Sequence, residues 1–331
     1  MSKRQFGAAP KPFALVSLPD EEPQRKVATY HERFLEFTGQ LQLVFYVVSK
    51  YLFVGSGEYE FDPNARGDRP DVWHTFYRRN DKICIPGSSI KGVIRSILEV
   101  ISNSCVSQRH RSEQVKDSHQ PCQFRDLSTP LCPACRLFGT TGYRGRVHFE
   151  DANPQGDVKT QVVKIAELFQ PKRCEPNKRR FYQHKTFQPL PNQRPEKNFR
   201  FVEALPEGTG FEVTLSFENL SQAELGLVFH ALGWQARQEG FNLTFTPKLG
   251  GAKPRCFGAV RFEPQRLKLW HSSNWRTLLA PETLEGDSLK QFLCECLRAC
   301  QQDVTLFNHY SWQALVEGLR PQSDSCPGGV Y

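Results

Sequence analysis

No stretch of the sequence approaches the ~20 consecutive apolar residues that a membrane-spanning helix needs. The basic N-terminus lacks the continuous apolar region of a secretory signal. Walker-type and GxGxxG glycine loops are absent as well, which argues against the common nucleotide-binding folds. These absences predict a cytoplasmic protein that is soluble and has no membrane partner.

The 331-residue chain contains eleven cysteines, and 39% of its residues are hydrophobic. This hydrophobic content is enough for a real core in one large domain or two ordinary ones. Without a signal peptide, we expect the cysteines to be reduced thiols or metal ligands rather than a disulfide framework.

The positive charge is concentrated in one segment. Between Lys159 and Arg200 there are eleven Lys or Arg, three Glu and no Asp, so this segment accounts for the whole net charge of +8. Such a local excess predicts a polyanion partner, most simply RNA or DNA phosphates, although a solvated basic loop is the alternative. Its central stretch mixes cations with an aromatic ring, which suits single-stranded RNA: Lys178, Arg179, Arg180 and Tyr182.

The order of predicted elements indicates an α+β fold. Dense prolines in residues 159–200 predict an extended loop there rather than a long regular element. The remaining order suits a ferredoxin-like or RRM-like palm, an antiparallel sheet with two helices on one face. Apolar periodicity predicts strands at 37–54, 82–85, 146–150, 212–217 and 259–262, and helices at about 88–101 and 221–237.

The chain divides into three predicted regions. An N-terminal arm covers 1–35, a main domain 36–270 and a C-terminal helical extension 271–331. Within the main domain we expect a cysteine- and histidine-containing excursion at 104–135 and a basic insertion at 154–210.

A tight Pro-Gly turn leads into the first predicted helix in the segment IPGSSIKGVIRS (85–96). The free N–H groups of that turn, the hydroxyls of Ser88 and Ser89, and Lys91 predict an anion site. Arg95 follows one turn later on the same polar face. Ordinary capping by serine, with two solvated cations, is the alternative.

Two close ligand pairs, His119-x2-Cys122 and Cys132-x2-Cys135, predict a structural zinc site. Metal would organise a segment whose hydrophobic content is too low for it to fold alone. Cys105 and His110 compete with His119 for the fourth position.

A glycine-rich segment at 248–258 combines close backbone approach with positive charge. A plain turn between two elements is the alternative. The predicted contacts to a nucleic-acid ligand are Lys248, Gly250, Gly251, Lys253 and Arg255.

These segments together resemble the RAMP-superfamily backbone subunits of type III CRISPR effectors. The resemblance covers roughly residues 38–265 and depends on the order and spacing of its motifs. The matching segments are Gly-Ser-Gly at 55–57, IPGSSIKGVIRS, CPACRLFGTTGYRGRVHFEDA, FVEALPEGTGFEVTLSF and KLGGAKPRCFGAV.

The resemblance implies a palm with a thumb loop after the first strand. Such subunits bind guide RNA through its backbone, pair it with target RNA and assemble with other effector subunits into a filament-like complex. In subunits that cut, a thumb-loop Asp lies about fifteen residues before the Pro of the turn. Asp71 matches this position, with Asp68 as the alternate, and Mg²⁺ could assist cleavage. A non-catalytic capping subunit and a guide-processing endoribonuclease remain alternatives.

Overall fold

The computed structural model describes residues 12–29, 31–32, 34–107, 115–168, 175–190, 192–270 and 280–327. Within them the chain is a mixed α+β protein that consists mostly of sheet. The strands are β1 (Phe13–Ser17), β2 (Lys26–Val27), β3 (Phe37–Val47), β4 (Tyr51–Leu52), β5 (Gly55–Phe61), β6 (Val72–Phe76), β7 (Arg78–Arg79), β8 (Lys82–Ile83), β9 (Pro130–Leu131), β10 (Gly139–Thr140), β11 (Tyr143–Arg144), β12 (Val147–Phe149), β13 (Asn153–Pro154), β14 (Gln161–Ala166), β15 (Lys178–Tyr182), β16 (Phe199–Pro206), β17 (Gly210–Leu220), β18 (Trp234–Ala236), β19 (Phe241–Leu243), β20 (Val260–Trp270) and β21 (Glu282–Glu285). The helices are α1 (Gly87–Ile101), α2 (Pro133–Phe138), α3 (Gln222–Ala231), α4 (Gly286–Gln302) and α5 (His309–Leu319), with short 3-10 turns at Asp117–His119 and Lys253–Arg255.

The main sheet has the strand order β12–β17–β3–β20–β21, with β13 also paired to β17, and all of these pairs are antiparallel. Strand β3 lies at its centre, paired with β17 on one side and β20 on the other. Every second residue of Leu41–Val47 is apolar and buried, as the alternation predicted. At the middle of the sheet, the ring of Phe45 packs 5.2 Å from the rings of both Phe211 and Phe262.

Helices α1, α3 and α4 cover this sheet. The isoleucines and leucine predicted for α1 are buried, which confirms its helical periodicity. Helices α3 and α4 approach closely at Gly226, where a Cβ would lie 1.9 Å from the carbonyl oxygen of Cys296. Helix α3 ends earlier than predicted because Gly233, with φ of +97°, turns the chain into strand β18.

A second sheet has the order β14–β16–β6–β5, and β4 also pairs with β16. Its strand β14, and strand β15, which pairs with β1, both lie in the basic segment. The prediction of an extended loop there was therefore wrong in part. The prolines of this segment fall outside both strands, so they limit strand length without preventing pairing.

Cys256 and Cys326 form a disulfide that joins the glycine-rich segment to the C-terminal region. The expectation that the cysteines are thiols or metal ligands was wrong for this pair. In the described part of the chain, no helix is long and apolar enough to cross a membrane.

Candidate functional sites

Four buried thiols meet beside the C-terminal half of α1: Cys105, Cys122, Cys132 and Cys135. Their sulfurs all lie within 4.8 Å of one another, and Cys105 Sγ is 3.4 Å from the sulfurs of both Cys132 and Cys135. Sulfurs that surround a tetrahedral ion at about 2.3 Å are about 3.8 Å apart. The group therefore has the size and donor chemistry to hold a metal such as zinc.

Cys105, and not His119, completes this group of four, so the preferred fourth ligand, His119, gives way to its alternative, Cys105. The chain enters this region directly from α1, and the Cys105 N–H donates to Cys132 Sγ at 3.4 Å. His119 is buried on a 3-10 turn, with Nδ1 3.1 Å from the Ser118 hydroxyl. His110 lies outside the described residues. A fourth cysteine in the same excursion was the sequence signal that favoured this result.

Arg95 belongs to the surroundings of the cysteine group. Its guanidinium lies 3.6 Å from Cys135 Sγ and donates to the carbonyl of Gly139 at 2.8 Å and to Glu99 at 2.9 Å. Four thiolates with one divalent cation would carry a net charge of −2, and this guanidinium would offset part of it. Three of its hydrogen bonds are thus made within the protein, and contact of Arg95 with RNA stays a prediction.

The carboxylate of Glu99 is fully buried and connects the cysteine group with the basic segment. Besides Arg95 it accepts a hydrogen bond from the Ser107 N–H at 3.1 Å, and the guanidinium of Arg179 on β15 lies 3.8 Å away. A buried charge of this kind requires such partners. Sequence reasoning missed Glu99 because it occupies a helix position among apolar residues.

An open cleft of about 400 Å³ lies between the first turns of α1, strand β15 and the glycine-rich segment. It unites predicted contacts that are far apart in the sequence. Four of the side chains that line it are cationic, and no carboxylate of a described residue does so. The residues in its walls that the sequence predicted as RNA contacts are Ser88, Ser89, Arg179, Arg180, Tyr182, Lys248 and Lys253.

Ser88 and Ser89 line the cleft from the first turn of α1 and do not cap the helix. Pro86 is the N-cap residue, and the free N–H of Gly87 donates to Asp151 Oδ1 at 2.9 Å. Asp151 is a partner that sequence reasoning missed, because it follows strand β12, far from the turn.

Lys91 does not line the cleft. It projects from α1 toward Arg95 and Arg144, and its pKa is lowered to about 8 by burial and by the charges of these two arginines. Lys178 is also absent from the cleft walls and pairs with Glu175. The prediction that Lys91 and the serines converge on one point was thus wrong, because successive helix positions face different sides.

The glycine-rich segment packs mainly against other parts of the protein, and of its predicted ligand contacts only Lys248 and Lys253 line the cleft. Gly250 has φ of +73°, and its Cβ would lie 2.0 Å from the carbonyl oxygen of Phe53, which accepts a hydrogen bond from the Gly251 N–H. Arg255 is only 3% exposed and donates to the carbonyls of Ala166 and Glu167. Gly250, Gly251 and Arg255 therefore have structural roles, and their contact with a ligand stays a prediction.

The predicted thumb loop is the hairpin formed by β5 and β6. Asp68 and Asp71 lie exposed in its connection, and Asp71 Oδ1 accepts a hydrogen bond from the Val72 N–H at 2.9 Å. Within the described ranges, the cysteine group alone brings three or more potential metal ligands together. The hairpin acids would therefore hold Mg²⁺ only with oxygens from a bound RNA or from water.

Comparison with known proteins agrees with the motifs. The family model of the RAMP superfamily matches residues 44–261, well over half of the chain. No curated protein matches the sequence.

Proposed function

The chain belongs to the RAMP superfamily, and from this premise we propose that it is a guide-RNA-binding backbone subunit of a type III CRISPR effector. Membership itself suggests a CRISPR-associated RNA-binding subunit. The observation that carries the proposal is the cationic cleft, because its walls bring together separate segments that match the resemblance. In this proposal the subunit works in the cytoplasm, beside other effector subunits.

The strand order supports a ferredoxin-like palm as part of the proposal. Strands β12, β17, β3 and β20 are adjacent and antiparallel, with α1 between β3 and β12 in the chain and α3 between β17 and β20. The division into an arm, a main domain with two excursions, and a C-terminal helical extension also stays a proposal.

We assign the cysteine group to structural zinc. The four thiolates would hold the ion in a closed tetrahedral site, which has no open position for substrate. The ion would hold the segments around Cys105, Cys122 and Cys132 against α1.

Electrostatics explains how the cleft would bind RNA. Arg180, Lys248 and Lys253 present positive charge to phosphates, while Tyr182 offers a ring on which a base can stack. Binding of this kind is strong at low salt and has little sequence preference.

A charge-removing variant tests the proposal. We expect Arg180→Ala to weaken binding of a single-stranded RNA and to reduce the dependence of log affinity on log salt by about 0.7. Lys290→Ala is the matched control, because Lys290 is exposed on α4 and does not line the cleft. Equal effects of the two substitutions would locate the binding surface elsewhere.

Target-RNA cleavage by Asp71, with Asp68 as its alternate, belongs to the same proposal. RNA supplies its own 2′-hydroxyl nucleophile, so a carboxylate need only accept that proton or help to hold Mg²⁺. In an assembled complex, Asp71→Ala should abolish one cut in an end-labelled target while target binding is retained. An unchanged pattern for both Asp71→Ala and Asp68→Ala would support the non-cutting, capping function instead.

A further inference from the structure

Two polar side chains in the cleft have no partner in the described structure. Lys248 is only 6% exposed, and its Nζ has no hydrogen-bond partner among the described residues. The hydroxyl of Thr246, two residues earlier, is likewise buried and without a partner there. Both residues line the cleft. Buried polar groups left in this state cost free energy that a ligand with acceptor oxygens would recover.

We propose that Lys248 and Thr246 form a phosphate subsite in the cleft, and that an RNA phosphate enters it together with one proton. This inference rests on the proposed RNA-binding function and adds to it a defined subsite and a regulation by pH. Thr246 Oγ1 would donate to one phosphate oxygen and the protonated Lys248 to another.

The protonation state of Lys248 supports the coupling. Burial, and after it the charge of Lys253, lowers the pKa of this lysine to about 7. A bound phosphate would raise this pKa again, because the opposite charge stabilises the ammonium form. Binding therefore takes up a proton at pH values between the pKa of the free protein and the raised pKa of the complex.

Few other groups around Lys248 change charge in this range. Burial lowers the pKa of Lys253 to about 8, so at about pH 8 it is half neutral and adds up to half a proton to the effect. Burial, followed by the charge of Lys248, lowers the pKa of His184 to about 4, which keeps it neutral. The other cationic groups of the cleft are the guanidinium groups of Arg179 and Arg180 on β15, and the residues of α1 that line it are Ser, Gly, Val and Ile.

Calorimetric titration of the full chain with a short oligouridine measures the proton directly. The slope of the binding enthalpy against buffer ionisation enthalpy gives the number of protons taken up. We expect about one to one and a half protons at about pH 8, most of it from Lys248, nearly none at about pH 6, and at least about tenfold weaker binding at the higher pH.

Two substitutions separate the uptake of the proton by Lys248 from the binding of the RNA. Lys248→Arg keeps the charge and does not titrate, so binding should continue while the proton uptake at about pH 8 falls to at most the half proton that Lys253 supplies. Lys248→Met removes the charge without adding bulk, and its affinity should increase by no more than about twofold between about pH 8 and about pH 6. Lys290→Arg, the same change on an exposed helix, should behave as the parent protein.

The outcomes are distinct. Oligouridine binding without proton uptake at the higher pH, or unchanged pH dependence in Lys248→Met, would overturn the subsite and leave RNA binding intact. If the protein bound oligouridine at neither pH, the RNA-binding proposal itself would be overturned, and the subsite with it.

Discussion

Substitution of Cys105 by serine is the sharpest test of the metal centre. It removes one of four buried thiolates, while the 0% exposure of the residue prevents water from replacing it easily. Outer-shell partners alone are worth about 10–100-fold in metal affinity, so we expect the loss of a direct ligand to cost more than about 100-fold, or about 3 kcal/mol. Structural zinc contributes about 10–16 kcal/mol to the folding of small metal-dependent modules. The excursion should therefore unfold when the metal is removed.

The assay combines zinc content of the purified protein with thermal unfolding in the presence and absence of a chelator. Cys105→Ser should lose most of the metal and the chelator sensitivity. His119→Ala should keep both, as should Cys294→Ser, which changes a buried cysteine of α4 outside the group. Full zinc in Cys105→Ser, or loss of zinc in His119→Ala, would refute the assignment.

Three further predictions concern stability. Glu99→Ala leaves a buried guanidinium without its carboxylate and should cost roughly 3–5 kcal/mol in urea unfolding, whereas an unchanged midpoint would remove Glu99 from the core network. Gly250→Ala should cost more than about 1 kcal/mol, because its Cβ would collide with the Phe53 carbonyl; retained stability with weakened RNA binding would restore the ligand role instead. Cys326→Ser opens a loop of 70 residues and should cost about 4 kcal/mol under oxidising conditions, and no change there would mean that the thiols are unlinked in solution.

Much of the fold could be predicted from the sequence because its signals are local. The alternation of apolar residues in β3 and the helical spacing in α1 follow from which side of each element is buried. The strands β14 and β15 escaped prediction because their pairing partners are distant, and prolines around them dominated the local signal. Strand propensity depends on neighbours that only the folded chain supplies.

For the candidate sites too, some features could be predicted from the sequence and others depended on the fold. The sequence by itself determined the residue chemistry: three closely spaced cysteines, a serine turn before a helix, and an excess of cations in one segment. Tertiary structure alone decided which of these groups meet. It brought Cys105 to the metal group, turned Lys91 away from the cleft and committed Arg95 to protein partners. Burial and hydrogen bonding depend on packing between remote segments, so local spacing could not decide between these alternatives.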